Sequence, residues 1–201
     1  MNVIFDEATH AYTVDGKAVP SVTQLVAPLG MDFNELDDFA ELAVDSAADR
    51  GTTMHAYIAH RLNGGEREDF ELPDEYMDYA DAAEMFLEEH DIVPWLVEEP
   101  IGCHEFAGTP DLVCDFDGKP TIVDYKFVST IAKTKVGAQL QGYMRLCEKN
   151  DVYVDNLLAV QFTRDGYRIY PVDTETTSLS FGICLTLHQL KNKKHPRGCI
   201  E

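Results

Sequence analysis

Gly108-Thr109-Pro110-Asp111-Leu112-Val113-Cys114-Asp115-Phe116-Asp117-Gly118-Lys119, followed after Pro120 by Thr121-Ile122-Val123-Asp124-Tyr125-Lys126, is the stretch whose reading decides the fold. It reads as a β-hairpin. Asp117-Gly118 suits the two central positions of a type I′ turn, where both residues need positive φ. Folding the chain there sets Phe116 against Lys119, and counting outward in step sets Asp111 directly against Asp124. A four-residue loop from Phe116 to Lys119 gives the same register.

Opposed residues on one face of a hairpin have Cβ atoms about 4.5–5.5 Å apart, and like charges there are destabilising. Leu112, Val113, Ile122 and Val123 fill both alternating sets, so both faces of these strands are covered by apolar material. A surface hairpin with exposed acids would have no use for that pattern. Two facing carboxylates in such surroundings either share a proton or hold a cation. Lys126 points to the same face as Asp124, roughly 6.6 Å further along. Two acids and a lysine around one pocket can bind Mg²⁺ and orient a water for attack on a phosphate.

The same residues carry a resemblance. Gly108 with Pro110-Asp111, then Asp124-Tyr125-Lys126, then Gln139 and Tyr143 as Q-x-x-x-Y on the next helix, resembles the PD-(D/E)XK nuclease superfamily, nearest to its RecB-like, phage-type exonuclease branch. The resemblance implies a restriction-endonuclease-like α/β core, a central mixed β-sheet flanked by helices, and Mg²⁺ or Mn²⁺ as cofactor. It also implies DNA as substrate and Gln139 and Tyr143 beside the DNA backbone; the bland alternative makes Tyr143 core packing. His10, Tyr12, Gly16 and Ser21-Val22-Thr23 match the "H-x-Y…G…SVT" opening of the branch, which brings Ser21 and Thr23 near DNA. The S-x-x-Q of Ser21 and Gln24 is equally a helix capping box, and the two roles are compatible. Arg50-Gly51-Thr52-Thr53-Met54-His55 resembles the branch's first motif, whose histidine lies beside the metal. The branch also places a glutamate on the strand before the hairpin: Glu98 matches better, Glu99 is the fallback, and alternation does not choose between neighbours.

The 201 residues, 45% of them hydrophobic, suit one globular domain. No run of 18 apolar residues suggests a membrane span, and the opening residues do not form a basic, apolar signal peptide. Five scattered cysteines without a C-x-x-C pair favour free thiols in a reducing cytoplasm and argue against zinc or an iron–sulfur cluster. The net charge of −20 is awkward for a nucleic-acid enzyme. Residues 1–100 hold 24 acidic and 4 basic side chains, whereas residues 101–201 hold 12 and 12. The DNA-facing surface is therefore expected from the second half, with Mg²⁺ adding positive charge.

Along the chain, residues 3–20 read as short strands with a second turn at Asp15-Gly16, and 33–48 as an acidic, solvated helix. His55, Ile58, Ala59 and Leu62 have helical spacing, so His55 is either a buried structural residue or a site residue. Arg50 can pair with a phosphate or form a surface salt bridge. A helix over 75–89 carries acids read as a wet face. Lys133 and Lys135, near the start of the helix at 132–148, are candidate phosphate contacts or ordinary solvated lysines. Strands at 157–162 and 167–172 form a hairpin around Asp165-Gly166. A last helix sets Leu179, Ile183, Leu187 and Leu190 on one side, and its basic end, 191–197, is either a DNA-tracking tail or a complement to the helix dipole.

The expected chemistry is metal-dependent phosphodiester hydrolysis. Asp111, Asp124, Glu98 and the Tyr125 carbonyl would ligate the metal, His55 would support it or its water, and Lys126 would orient the attacking water. Alanine at Asp111, Asp124 or Lys126 is expected to abolish cleavage with little loss of fold. The branch favours an exonuclease over an endonuclease, working beside a single-strand annealing protein and in some cases as a homo-oligomeric ring. The alternative of another class is a non-catalytic ion- or protein-binding module. Asp115-x-Asp117-Gly118 superficially resembles a calcium loop but lacks its remaining ligands, and such a module has no need of Lys126.

Overall fold

The central hairpin forms in the predicted register. Strand β7 (Leu112–Phe116) pairs antiparallel with β8 (Lys119–Lys126), with Leu112 against Val123 and Phe116 against Lys119. The turn residues Asp117 and Gly118 have φ of 50° and 80°, as a type I′ turn requires. The computed structural model of the protein describes residues 1–30 and 38–192. The start of the acidic segment, the basic run Lys193–Arg197 and Cys199 lie outside the described residues.

Around the hairpin the chain builds one five-stranded mixed sheet. Strand β4 (Ile92–Val97) pairs antiparallel outside β7, β9 (Asn156–Thr163) pairs parallel to β8, and β10 (Gly166–Pro171) closes the other edge. A parallel pair needs a long crossover, and helix α4 (Lys133–Lys149) supplies it between β8 and β9. One face of the sheet is covered by α2 (Asp38–Leu62) and α3 (Met77–Glu89), with Met54, Ile58, Phe86, Leu112, Val123 and Tyr125 in its core. The other is covered by α1 (Val22–Val26), α4 and α5 (Thr174–Asn192), with Val22, Val113, Ile122, Leu140, Leu157 and Phe181 in its core. The alternating strand residues thus enter two separate cores, which is why both sets are apolar. The fold is the expected α/β arrangement. A small meander of β1 (Val3–Asp6), β2 (Ala11–Val14) and β3 (Lys17–Val19) precedes it, and a short hairpin of β5 (Ile101–Gly102) and β6 (Ala107–Gly108) leads into β7.

The leucine-rich stripe of α5 is helical, as its spacing predicts, and faces outward: Leu179 and Leu190 are 69% and 57% exposed, while Phe181 and Cys184 point inward. Spacing reports that a helix has an apolar side, not that the side is covered. Two local readings need correction. The last hairpin turns at Arg164-Asp165, because Thr163 already pairs with Gly166. Glu84 does not belong to a wet face. Its carboxylate takes a fork from Arg61, with Nε donating at 2.8 Å and Nη2 at 3.0 Å, and a hydrogen bond from the Tyr57 hydroxyl. This ties α2 to α3 in front of the sheet.

Burial pushes the Glu84 carboxyl up, but the hydrogen bonds from Arg61 and Tyr57 overcome it and hold it below its usual range. A group lowered on folding stabilises above its unfolded pKa and loses that contribution as pH falls through the folded value. Acid unfolding of Glu84→Gln is therefore expected to depend less on pH than that of the parent. The difference, read by urea unfolding at pH 7 and pH 3, should be on the order of 1 kcal/mol.

Candidate metal centre

The β4–β7 ladder extends one step past its last strand pair, because the Glu98 amide donates to the Asp111 carbonyl at 3.2 Å. Glu98, Asp111 and Asp124 therefore form one row across three neighbouring strands. A bulge between Pro94 and Leu96 resets the alternation of β4 and so selects Glu98 rather than Glu99, which stays exposed. Pro94 and the bulge are tolerated because β4 is an edge strand. Glu98 itself has φ of 50°, an uncommon conformation for a non-glycine residue and one found often at functional sites.

His55 joins the row from α2. Its Nδ1 lies 3.1 Å from Glu98 Oε1 and 3.5 Å from Asp111 Oδ1. One ligand atom from each of His55, Glu98 and Asp111 lies within 4.8 Å of the others, so this group can hold a metal ion. The imidazole stands edge-on to Tyr125 and Phe127, which fix its plane. His55 stands beside Glu98 and Asp111, while Met54, Tyr57 and Ile58 supply the buried stripe of α2.

Asp111 and Asp124 are 7% and 0% exposed. Asp111 Oδ2 accepts from the Tyr125 amide at 2.7 Å, which locks its other oxygen toward His55. Asp124 Oδ2 meets Lys126 Nζ at 2.6 Å, whereas the buried Oδ1 has no hydrogen-bond donor among the described residues. A buried carboxylate oxygen without a partner is costly, and a cation beside Asp111 would satisfy it. Carboxylate oxygens with one imidazole can hold a divalent cation. The residues present fit such an ion.

The electrostatics agree. Burial raises the carboxyls of both Asp111 and Asp124 and prevails: His55 and Lys126 pull Asp111 down and Lys126 pulls Asp124 down, while Glu98 pushes Asp111 up and Asp111 pushes Asp124 up. Burial works against charge on His55, yet Asp111 and Glu98 overcome it and lift the imidazole to about 9. Burial likewise opposes charge on Lys126, and Asp124 and Asp111 overcome it. His55 and Lys126 thus offset the charge of the acids, and a divalent cation would compete with a proton on His55.

The opposite helical layer closes the site. Tyr143 is 4% exposed; its hydroxyl accepts from Gln139 Nε2 at 3.1 Å and hydrogen-bonds the Thr23 side chain. Burial and the two aspartates raise its pKa, so the phenol stays neutral. A Cβ on Gly108 would lie 2.8 Å from the Tyr143 ring, so glycine is needed there for the ring to approach. Ser21 caps α1, with both halves of the capping box present.

Arg50 holds the backbone through two of its donor nitrogens. Its Nε and Nη2 donate to the Phe127 carbonyl at 3.2 and 2.7 Å, and its guanidinium lies over Tyr79. Gln161 donates to the Val128 and Ser129 carbonyls from the other side. Together they pin the chain where it leaves β8, directly after Lys126. Sequence reading missed this clamp, because its acceptors are backbone carbonyls with no residue signature. Lys133 is exposed and its Nζ stands 5.6 Å from the Tyr170 ring, while Lys135 is half-buried.

Fold and site together define an α/β chain with an acid–histidine–lysine cluster at the end of its central strands. No family model matches the chain, and no curated protein matches it. Among solved structures, it is similar to an alkaline exonuclease (LHK-Exo) from Laribacter hongkongensis, at 17% identity over 87% of this chain and 92% of that one, with a TM-score of 0.36. The structure of LHK-Exo in complex with dAMP matches at 12% identity over 86% and 89% of the two chains, with a TM-score of 0.38.

Proposed function

We propose that the protein is a Mg²⁺- or Mn²⁺-dependent deoxyribonuclease of the PD-(D/E)XK type, acting as an exonuclease on linear DNA. The observation that carries this reading is the buried row Glu98–Asp111–Asp124 with His55 at one end and Lys126 paired to Asp124. Asp111, Glu98 and His55 would hold the cation, with Asp124 Oδ1 and the Tyr125 carbonyl as further ligands. When bound, such an ion acidifies a coordinated water and offsets charge on the phosphate.

Lys126 keeps its ammonium beside Asp124, where it can orient the attacking water and counter charge growing on the phosphate oxygens. The water oxygen gives up one proton and bonds to phosphorus, the phosphorus–oxygen bond to the leaving ester oxygen breaks, and that oxygen takes up a proton, so that the water is divided between the two products. Tyr143, Gln139, Thr23 and Ser21 lie on the α1–α4 side as neutral donors for the DNA backbone. Lys133 and Lys135 would meet phosphates at the start of α4. Arg50 acts by holding the exit of β8.

The test is incubation of linear and circular duplex DNA with Mg²⁺, Mn²⁺ or EDTA. Metal-dependent loss of linear DNA alone is the expected result. Loss of both forms would make the enzyme an endonuclease on the same site. Loss of neither would overturn the nuclease reading in favour of a binding module.

A further inference from the structure

A cleft of about 480 Å³ lies against the metal centre and is lined by Phe5, Glu7, Tyr12, Glu98, Pro100 and Thr109. Its size falls in the range of small-molecule sites. Glu98 is a wall of this cleft and also a member of the cation group, so the two spaces share a side chain. Thr109 is two residues from Asp111. Phe5 and Tyr12 sit side by side on β1 and β2, with ring centroids 4.6 Å apart and planes tilted by 30°. Tyr12 is buried and its hydroxyl is bonded to Thr109 at 2.8 Å, which fixes its ring. Phe5 is half-exposed.

The charges decide what such a cleft can accept. Glu7 and Glu98 repel a phosphate but accept hydrogen bonds from the N–H groups of a neutral heterocycle. Aromatic side chains stack on the π-face of any base, largely without regard to its identity. Resting on the nuclease reading above, we propose that the cleft between Phe5, Pro100 and Glu7 is a nucleobase subsite. It seats the base of the nucleotide whose phosphate meets the cation at Asp111 and Glu98. The small N-terminal meander thereby becomes part of the substrate site.

The probe is 2-aminopurine deoxyribonucleoside 5′-monophosphate with Mg²⁺, whose fluorescence falls on stacking, with deoxyribose 5-phosphate as the base-free control. The parent is expected to quench the probe and to bind it on the order of tenfold more tightly than the base-free control. Phe5→Leu keeps apolar volume in the meander but removes the ring face, so it should lose that preference while binding deoxyribose 5-phosphate as the parent does. Phe5→Tyr should retain the preference. A parent that degrades linear DNA but binds the probe no better than the base-free control, or a Phe5→Leu protein that keeps the full preference, overturns the subsite and leaves the nuclease reading standing. A parent that neither degrades DNA nor binds the probe overturns both.

Discussion

Lys126→Met is expected to destabilise the protein by about 3–5 kcal/mol in metal-free buffer, because removing one partner of a buried pair leaves the other as an uncompensated buried charge. Among the described residues Asp124 has no other donor: one oxygen meets Lys126 at 2.6 Å and the other has no hydrogen-bond partner. The expectation drawn from sequence, that this lysine can be replaced with little loss of fold, is therefore revised. Domains of this kind are stable by only about 5–15 kcal/mol, so a loss of that size is readily measured by urea unfolding. The double variant Asp124→Asn/Lys126→Met removes both charges and should recover most of the loss. Equal stability of the single and double variants would mean that the lysine does not compensate Asp124.

Asp111→Asn is the second large effect, and it falls on activity. The side chain holds the Tyr125 amide with one oxygen and faces His55 with the other. Asparagine can keep the first contact through its carbonyl but offers no anionic ligand. Metal-dependent DNA cleavage should drop by more than the roughly 10–100-fold that follows loss of a metal site's outer partners. Unfolding in metal-free buffer should change little, and the stabilisation that Mg²⁺ or Mn²⁺ gives the parent should vanish. Cleavage at the parental rate by Asp111→Asn would remove this residue from the chemistry.

What was legible in the sequence was the part governed by local rules. Asp117-Gly118 fixed the turn, the turn fixed the register, and the register set Asp111 and Asp124 in one row. The apolar pattern on both faces announced a sheet covered on both sides. Less was legible where the outcome depends on tertiary partners. No local rule distinguishes Glu98 from Glu99, because the choice comes from a bulge next to Pro94. Nothing in the spacing of Leu179, Ile183, Leu187 and Leu190 says that they face outward. Arg50 and Glu84 looked like surface charges, and each found a partner far away in sequence, Phe127 and Arg61. The register that sets Asp111 against Asp124 was legible, but their further partners were not. Asp111 groups most closely with Glu98 and His55, while Asp124 leans on Lys126.

The central claim is that this row of acids seats a divalent cation, and anomalous diffraction from crystals grown with Mn²⁺ addresses it directly. The account predicts a manganese peak within about 2.0–2.4 Å of a carboxylate oxygen of Asp111, with Glu98 and His55 among the remaining ligands. A map with no peak between these residues at saturating Mn²⁺, or with manganese bound only elsewhere on the acidic surface, would contradict it.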